Sequence, residues 1–123
     1  MRITNENELE EFLKKTGWQS FEKLVANIFE EHGYSTKINT VLKNTQIDVI
    51  AKKYGKKIVI ECKKWKTNNS TKIKKETTKQ KRRVELINAD EAIIVTLKEF
   101  KEKEINKVKI VPLNKLNNYL NLE

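Results

Sequence analysis

"QIDVIAKKYGKKIVIECKKW" (Gln46–Trp65) contains the two most strand-like segments of the chain and, inside them, three charges. The β-branched runs around Ile47–Ala51 and Ile58–Ile60 predict strands, and Tyr54-Gly55-Lys56 between them predicts a tight turn, hence an antiparallel hairpin. The centres "IDVIA" and "IVIEC" are nearly continuous apolar runs, as in strands covered on both faces. Asp48, Glu61 and Lys63 do not belong in such a setting unless they are paired, bound to metal or open to water, because burying a bare charge is costly. Strand side chains alternate, so Glu61 and Lys63 share one face and Cys62 takes the other. Antiparallel pairing brings Asp48 within reach of Glu61.

Two convergent carboxylates make a hard oxygen site of the kind Mg²⁺ or Mn²⁺ prefers. A lysine two residues on projects to the same edge, where it positions a water or meets developing negative charge. Metal, water and cation together are what phosphodiester hydrolysis requires. The pattern D-x₁₂-E-x-K is loose in a chain with 35% charged residues, and the opposing reading is a solvated strand face. Its force comes from context: apolar strands around it, a turn between them, and a helix before.

That helix is "WQSFEKLVANIFEEHG", where Trp18, Phe21, Leu24, Val25, Ile28 and Phe29 recur at helical spacing and Gly33 is a natural stop. Thr16 and Gln19 form a capping-box pattern before it, and "NENELEEFLKKT" reads as a shorter first helix capped at Asn5. "YSTKINTVL" predicts the first strand. After the hairpin, "KTNNST" is a loop and Thr71 to Asn88 a charged helix with a thin apolar stripe of Ile73, Val84 and Ile87. "EAIIVTL" is a buried strand, joined by a parallel crossover. "KEFKEKEIN" predicts a short helix, "KVKIVPL" a last strand, and "NKLNNYLNL" a closing helix capped near Asn114. The expected fold is a mixed sheet flanked by helices in one α/β domain over residues 1–123.

The net charge of +9 is unevenly spread: residues 1–33 hold four Lys/Arg against seven Glu, whereas residues 52–83 hold fourteen against Glu61 and Glu76. Such asymmetry is a usual electrostatic footprint of a phosphate-backbone partner, the alternative being a lysine-rich but otherwise ordinary solvated surface. Lys64, Lys66, Lys72, Lys75, Lys79, Arg82 and Arg83 are the candidate contacts, on a solvated helix face and the strand end before it. The basic stretch lacks an apolar helical face, which argues against a membrane surface. No apolar run is long enough for a membrane span, "MRITNENELEEF" lacks the apolar core of a secretory signal, and the single Cys62 fits a reducing compartment, so a cytoplasmic protein is expected. One cysteine also excludes a multi-cysteine zinc site. Cys62 reads as a buried packing residue, His32 as a helix C-terminal dipole partner, and Trp65 as cover for the sheet edge or a base-stacking platform.

"ID" in one strand followed by "ECK" in the next resembles the PD-(D/E)xK, or restriction-endonuclease-like, nuclease superfamily, and most nearly its Mrr-type members. Their opening helix is similar to "WQSFEKLVANIFEEHGY" and their metal strands to "QIDVIA" and "IVIECKKW". The resemblance implies an αβββαβ core and a metal-dependent DNA endonuclease. Asp48 and Glu61 would ligate Mg²⁺ or Mn²⁺ with the backbone carbonyl of Cys62, Lys63 would be the catalytic lysine, and Glu22 the additional acidic residue. Gln80 lies where related nucleases carry a polar residue, a further candidate on the DNA side. Ile47 replaces the superfamily's proline, as is ordinary in the Mrr branch, and "LKNTQ" replaces a glycine-rich turn. Archaeal-type Holliday junction resolvases share an "IECK"-like strand and are the alternative within this chemistry; a non-catalytic DNA-binding module is the alternative outside it. Cleavage of both strands by so small a nuclease implies a homodimer.

Overall fold

The computed structural model describes residues 8, 11, 13–15, 17, 20–65 and 67–122. Trp18, Gln19, Lys66 and most of the first expected helix, including Asn5, lie outside the described residues; residues 13–15 are helical, with Leu13 fully buried. The elements run α1 (Ser20–Glu31), β1 (Ser35–Leu42), β2 (Thr45–Lys53), β3 (Lys56–Lys63), α2 (Ser70–Ile87), β4 (Glu91–Thr96), β5 (Glu104–Ile105), β6 (Val108–Pro112) and α3 (Leu113–Asn121). They form one six-stranded mixed sheet in the order β1-β2-β3-β4-β6-β5. β1–β2, β2–β3 and β5–β6 pair antiparallel, while β3–β4 and β4–β6 pair parallel. This is the restriction-endonuclease-like arrangement that the sequence implied.

Three two-residue turns set the antiparallel registers. Lys43-Asn44, Tyr54-Gly55 and Asn106-Lys107 all have both residues at positive φ, which matches hairpin turns to the right-handed strand twist. The last of these corrects a sequence expectation, because residues 98–106 form bends and the short strand β5 instead of a helix. Phe100 and Ile105 are five residues apart with charges between them, too sparse for a helical stripe. Phe100 instead fills a pocket against Ile73 and Trp65, and Ile105 pairs with Val108. The closing helix also starts earlier than expected: Pro112 occupies its N-cap, not Asn114.

The sheet has a core on each face. Phe21, Val25 and Phe29 of α1 pack with Leu116 and Leu120 of α3 over Val49, Ile58, Ile60 and Val95. On the other face α2 covers Ala92, Ile94 and Ile110 with Ile73, and Ile50 and Val59 with Ile87. Gly33 (φ +90) ends α1, and the Lys53 ammonium donates to the His32 carbonyl at 2.6 Å, satisfying one of the helix's terminal acceptors. The His32 ring meets Asn117 Oδ1 of α3 at 2.7 Å, so it ties two helices together. α2 is capped by Asn69, whose Oδ1 accepts from the Thr71 and Lys72 amides, and closed by Asn88 at φ 56.

Candidate active site

The site forms where the central hairpin opens. The β2–β3 register runs from Lys53↔Lys56 to Val49↔Ile60, and the next position on each strand is Asp48 and Glu61. There Asp48 Oδ2 accepts the backbone N–H of Cys62 at 2.9 Å, so a side chain takes over where the ladder ends. The Glu61 carboxyl is hydrogen-bonded to that of Asp48. Glu22, in the first turn of α1, brings a third carboxylate whose field couples to Asp48. Lys63 Nζ stands 3.3 Å from Glu61 Oε2 and 5.7 Å from the centroid of the Trp65 ring. Asp48, Glu61 and Lys63 therefore meet at one point, with Glu22 near enough for its charge to interact with that of Asp48.

Their electrostatics reflect crowding. Burial, reinforced by the charge of Asp48 and their shared hydrogen bond, pushes the Glu61 carboxyl up to about 7 against the opposing pull of Arg83 and Lys63. Partial burial and Asp48 likewise raise Glu22, with a hydrogen bond from Asn39 and the charge of Lys64 acting the other way. The Cys62 thiol registers the same cluster: burial lifts it well above the ordinary value, and Asp48, Glu22 and Glu61 each add to the rise. For Lys63 burial acts downward, but the Glu76 and Glu61 carboxylates outweigh it and raise its pKa, so it is an ammonium at neutral pH. A group in that state supplies charge and hydrogen-bond donors, not general-base catalysis.

Sequence reading missed the network behind Lys63. Glu76 of α2 is 3% exposed; its Oε1 lies 3.3 Å from Lys63 Nζ and its Oε2 accepts from Arg83 Nη1 at 2.9 Å. Arg83 Nη1 also donates to Gln80 Oε1 at 2.8 Å, and Nη2 lies 3.7 Å from Glu61 Oε2. Gln80 Nε2 in turn donates to the carbonyls of Val59 and Ile93, stitching α2 to β3 and β4. This corrects two candidate DNA contacts: Gln80 is fully buried and has no surface to offer, and Arg83 is spent on buried carboxylates instead of facing solvent. The signal was present in the sequence. Residues 73, 76, 77, 80 and 87 are the buried line of α2, so Glu76 and Gln80 continue the helical period set by Ile73 and Ile87. By contrast Lys64, Lys72, Lys75, Lys79 and Arg82 are exposed, while Lys66 lies outside the described residues.

The family description "Restriction endonuclease", for the Mrr catalytic domain, matches residues 13–116. The chain belongs to the Mrr-type restriction-endonuclease family. An uncharacterized protein of Archaeoglobus fulgidus is 30% identical over 114 residues, covering 84% of this chain and 88% of its own. The crystal structure of AF1548, a protein of unknown function, superposes with a TM-score of 0.61 at 27% identity, over 75% of this chain and 56% of that one. VC1899 of Vibrio cholerae gives a TM-score of 0.53 at 17% identity, over 85% of this chain and 32% of that one, a likeness of fold. The Mrr-type chain thus spans about half and about a third of these two solved structures.

The Mrr-type site offers an open set of donors. Among the described residues no group of three or more His, Cys, Asp or Glu side chains is arranged to hold a metal ion by itself. Asp48 and Glu61 nevertheless present hydrogen-bonded carboxylates beside the backbone of Cys62, with Glu22 near them. All-oxygen donors that leave room for several waters suit Mg²⁺, which dehydrates reluctantly. Burial and the charge of Asp48 raise the Glu61 and Glu22 carboxyls, and a divalent cation would offset both, so the donor set suits the ion.

Proposed function

We propose that this protein is a divalent-metal-dependent DNA endonuclease that hydrolyses phosphodiester bonds. The observation that carries the reading is the meeting of the Asp48 and Glu61 carboxyls at the opened end of the hairpin, with the Lys63 ammonium 3.3 Å from Glu61. Asp48, Glu61 and the Cys62 carbonyl would hold Mg²⁺ or Mn²⁺, and Glu22 would hold it directly or through a water. When bound, the ion polarises the phosphoryl oxygen and lowers the pKa of the attacking water.

The chain's own residues have separate tasks. Asp48 and Glu61 orient the ion because the Cys62 amide fixes one and the Lys63–Arg83 pair flanks the other. Lys63 is held protonated by Glu61 and Glu76, and its ammonium offsets the negative charge that develops on the phosphorane-like transition state. Lys64, Lys72, Lys75, Lys79 and Arg82 neutralise phosphates on either side of the scissile bond and set register, not sequence preference. Lys66 is assigned to the same group by its charge. Cleavage of both strands would come from a homodimer that presents two such sites.

Plasmid nicking tests the reading. Mg²⁺ or Mn²⁺ is expected to support conversion of supercoiled to open-circle DNA, and EDTA to stop it. Asp48→Ala and Lys63→Ala should lose cleavage while retaining salt-sensitive DNA binding. Cleavage that survives EDTA, or that persists in Asp48→Ala, would overturn the assigned chemistry.

A further inference from the structure

Asn39 lies in the middle of β1, where a regular strand would be expected to continue. The β1–β2 register is unbroken from Ser35↔Lys52 to Leu42↔Thr45 except at one rung, Asn39 opposite Asp48. Its φ is +51, in the left-handed region. The other non-glycine residues at positive φ among those described occupy hairpin turns (Lys43, Asn44, Tyr54, Asn106, Lys107) or the C-cap of α2 (Asn88). Asn39 is the one in a strand interior, and asparagine is among the few side chains that tolerate this conformation.

Strand β2 changes face at the same level. In an unbroken strand Ile47 would share a face with Val49 and oppose Ile50. Here Ile47 packs with Ile50, Val59 and Ile87 under α2, while Val49 packs under α1. Asp48 lies at this changeover, at the seam between the two faces. It can therefore meet Glu22 from the α1 side and Glu61 from the α2 side together. The Asn39 side chain also acts on the Glu22 carboxyl, favouring its ionised form.

We infer that Asn39 is a positioning residue of the metal site: its left-handed backbone opens the rung opposite Asp48, and its carboxamide holds Glu22 toward the same point. The inference rests on the metal reading proposed above. Asn39 need not touch the ion; it acts through the two carboxylates it places.

Its test uses the full chain with Mn²⁺ as the probe, binding followed by electron paramagnetic resonance and folding by urea denaturation. Asn39→Gly keeps the left-handed backbone accessible and removes only the carboxamide. It is expected to weaken Mn²⁺ binding about tenfold, the usual scale for a group that orients metal ligands, with the urea midpoint little changed. Asn39→Val, which a β-branched side chain bars from left-handed φ, should weaken binding further and by more than any loss of folding explains. Wild-type Mn²⁺ affinity and wild-type Mg²⁺ dependence of nicking in Asn39→Gly would overturn the role of the carboxamide. Unchanged binding in a folded Asn39→Val would overturn the role of the backbone. Should the wild-type chain itself bind no Mn²⁺, the metal reading and this inference fall together, an outcome distinct from both.

Discussion

Glu61 carries a measurable consequence that does not depend on catalysis. Its carboxyl titrates near 4.5 in an unfolded chain and at about 7 in the folded, metal-free protein. Between those values the native state holds a proton that the unfolded state has released. Folding stability therefore falls as pH rises through this window, and the full penalty is present above about 7. At about 1.4 kcal/mol per pH unit, the displacement corresponds to about 3 kcal/mol. Glu61→Gln has no such proton to lose. Urea unfolding of both proteins in EDTA, from pH 4 to pH 8, should give a stability difference that shifts in favour of the variant by about 3 kcal/mol across the range. Any constant offset, such as the weakened contacts to Lys63 and Arg83, cancels in that shift. Mg²⁺ at about one hundred times its dissociation constant should then restore about 2.7 kcal/mol to the wild type at pH 8, and far less to the variant. A pH-independent difference would refute the reasoning, for it would mean that Asp48 and burial do not press on Glu61.

Other outcomes follow from the same geometry. Removing the partner of a buried cation is costly, so Glu76→Ala is expected to lose about 3 kcal/mol by urea denaturation, and adding Arg83→Met to a Glu76→Met background should recover part of that loss. Gln80→Leu withdraws a donor from the Val59 and Ile93 carbonyls and should cost about 1–3 kcal/mol in the same assay. Reversing Lys72, Lys75 and Lys79 to Glu should flatten the dependence of log K on log salt by about 0.9 for each phosphate that is no longer neutralised, and leave Mn²⁺ binding unchanged. Cys62→Ala should retain cleavage, because Asp48 is bonded to the residue's amide and not to its thiol.

The hairpin was legible because it obeys local rules. Two β-branched runs on either side of Tyr54-Gly55 have one cheap arrangement, and it fixes the register that brings Asp48 opposite Glu61. The helix α1 and strand β4 were equally plain, each written in apolar residues at its own period. Reading failed where polar residues do apolar duty. Glu76 and Gln80 occupy the inward line of α2, yet a charge in a basic helix reads as solvated until the sheet beneath is known to offer Lys63 and two carbonyls. Arg83 reads as surface for the same reason, since nothing local tells a paired arginine from a free one. Asn106-Lys107 concealed a hairpin because it lacks the glycine that usually marks such turns, and Asn39 concealed a left-handed kink inside a strand that alternates respectably on either side.

The distribution of charge around the site explains why so basic a chain can keep acids in its interior. Glu61 and Glu76 are balanced at close range by the Lys63 ammonium and the Arg83 guanidinium, and Glu22 by the charge of Lys64. With Asp48 also ionised, four carboxylates outnumber these three cations and leave the centre short of positive charge. Burial, and after it the charge of Asp48, keeps a proton on Glu61 up to about 7, whereas Glu76 and Glu61 hold Lys63 as an ammonium. A divalent cation would supply positive charge there without the proton. Metal affinity should accordingly climb about tenfold per pH unit as pH rises toward 7 and level off above it, because the ion and the proton compete for one carboxylate. The exposed lysines of α2 do not enter this balance: water screens them from the acids, and under the proposed function they would act on a polyanion outside. A basic exterior and an acidic centre are therefore compatible, and the proposed function would use the first to gather the phosphate backbone and the second to hold the ion.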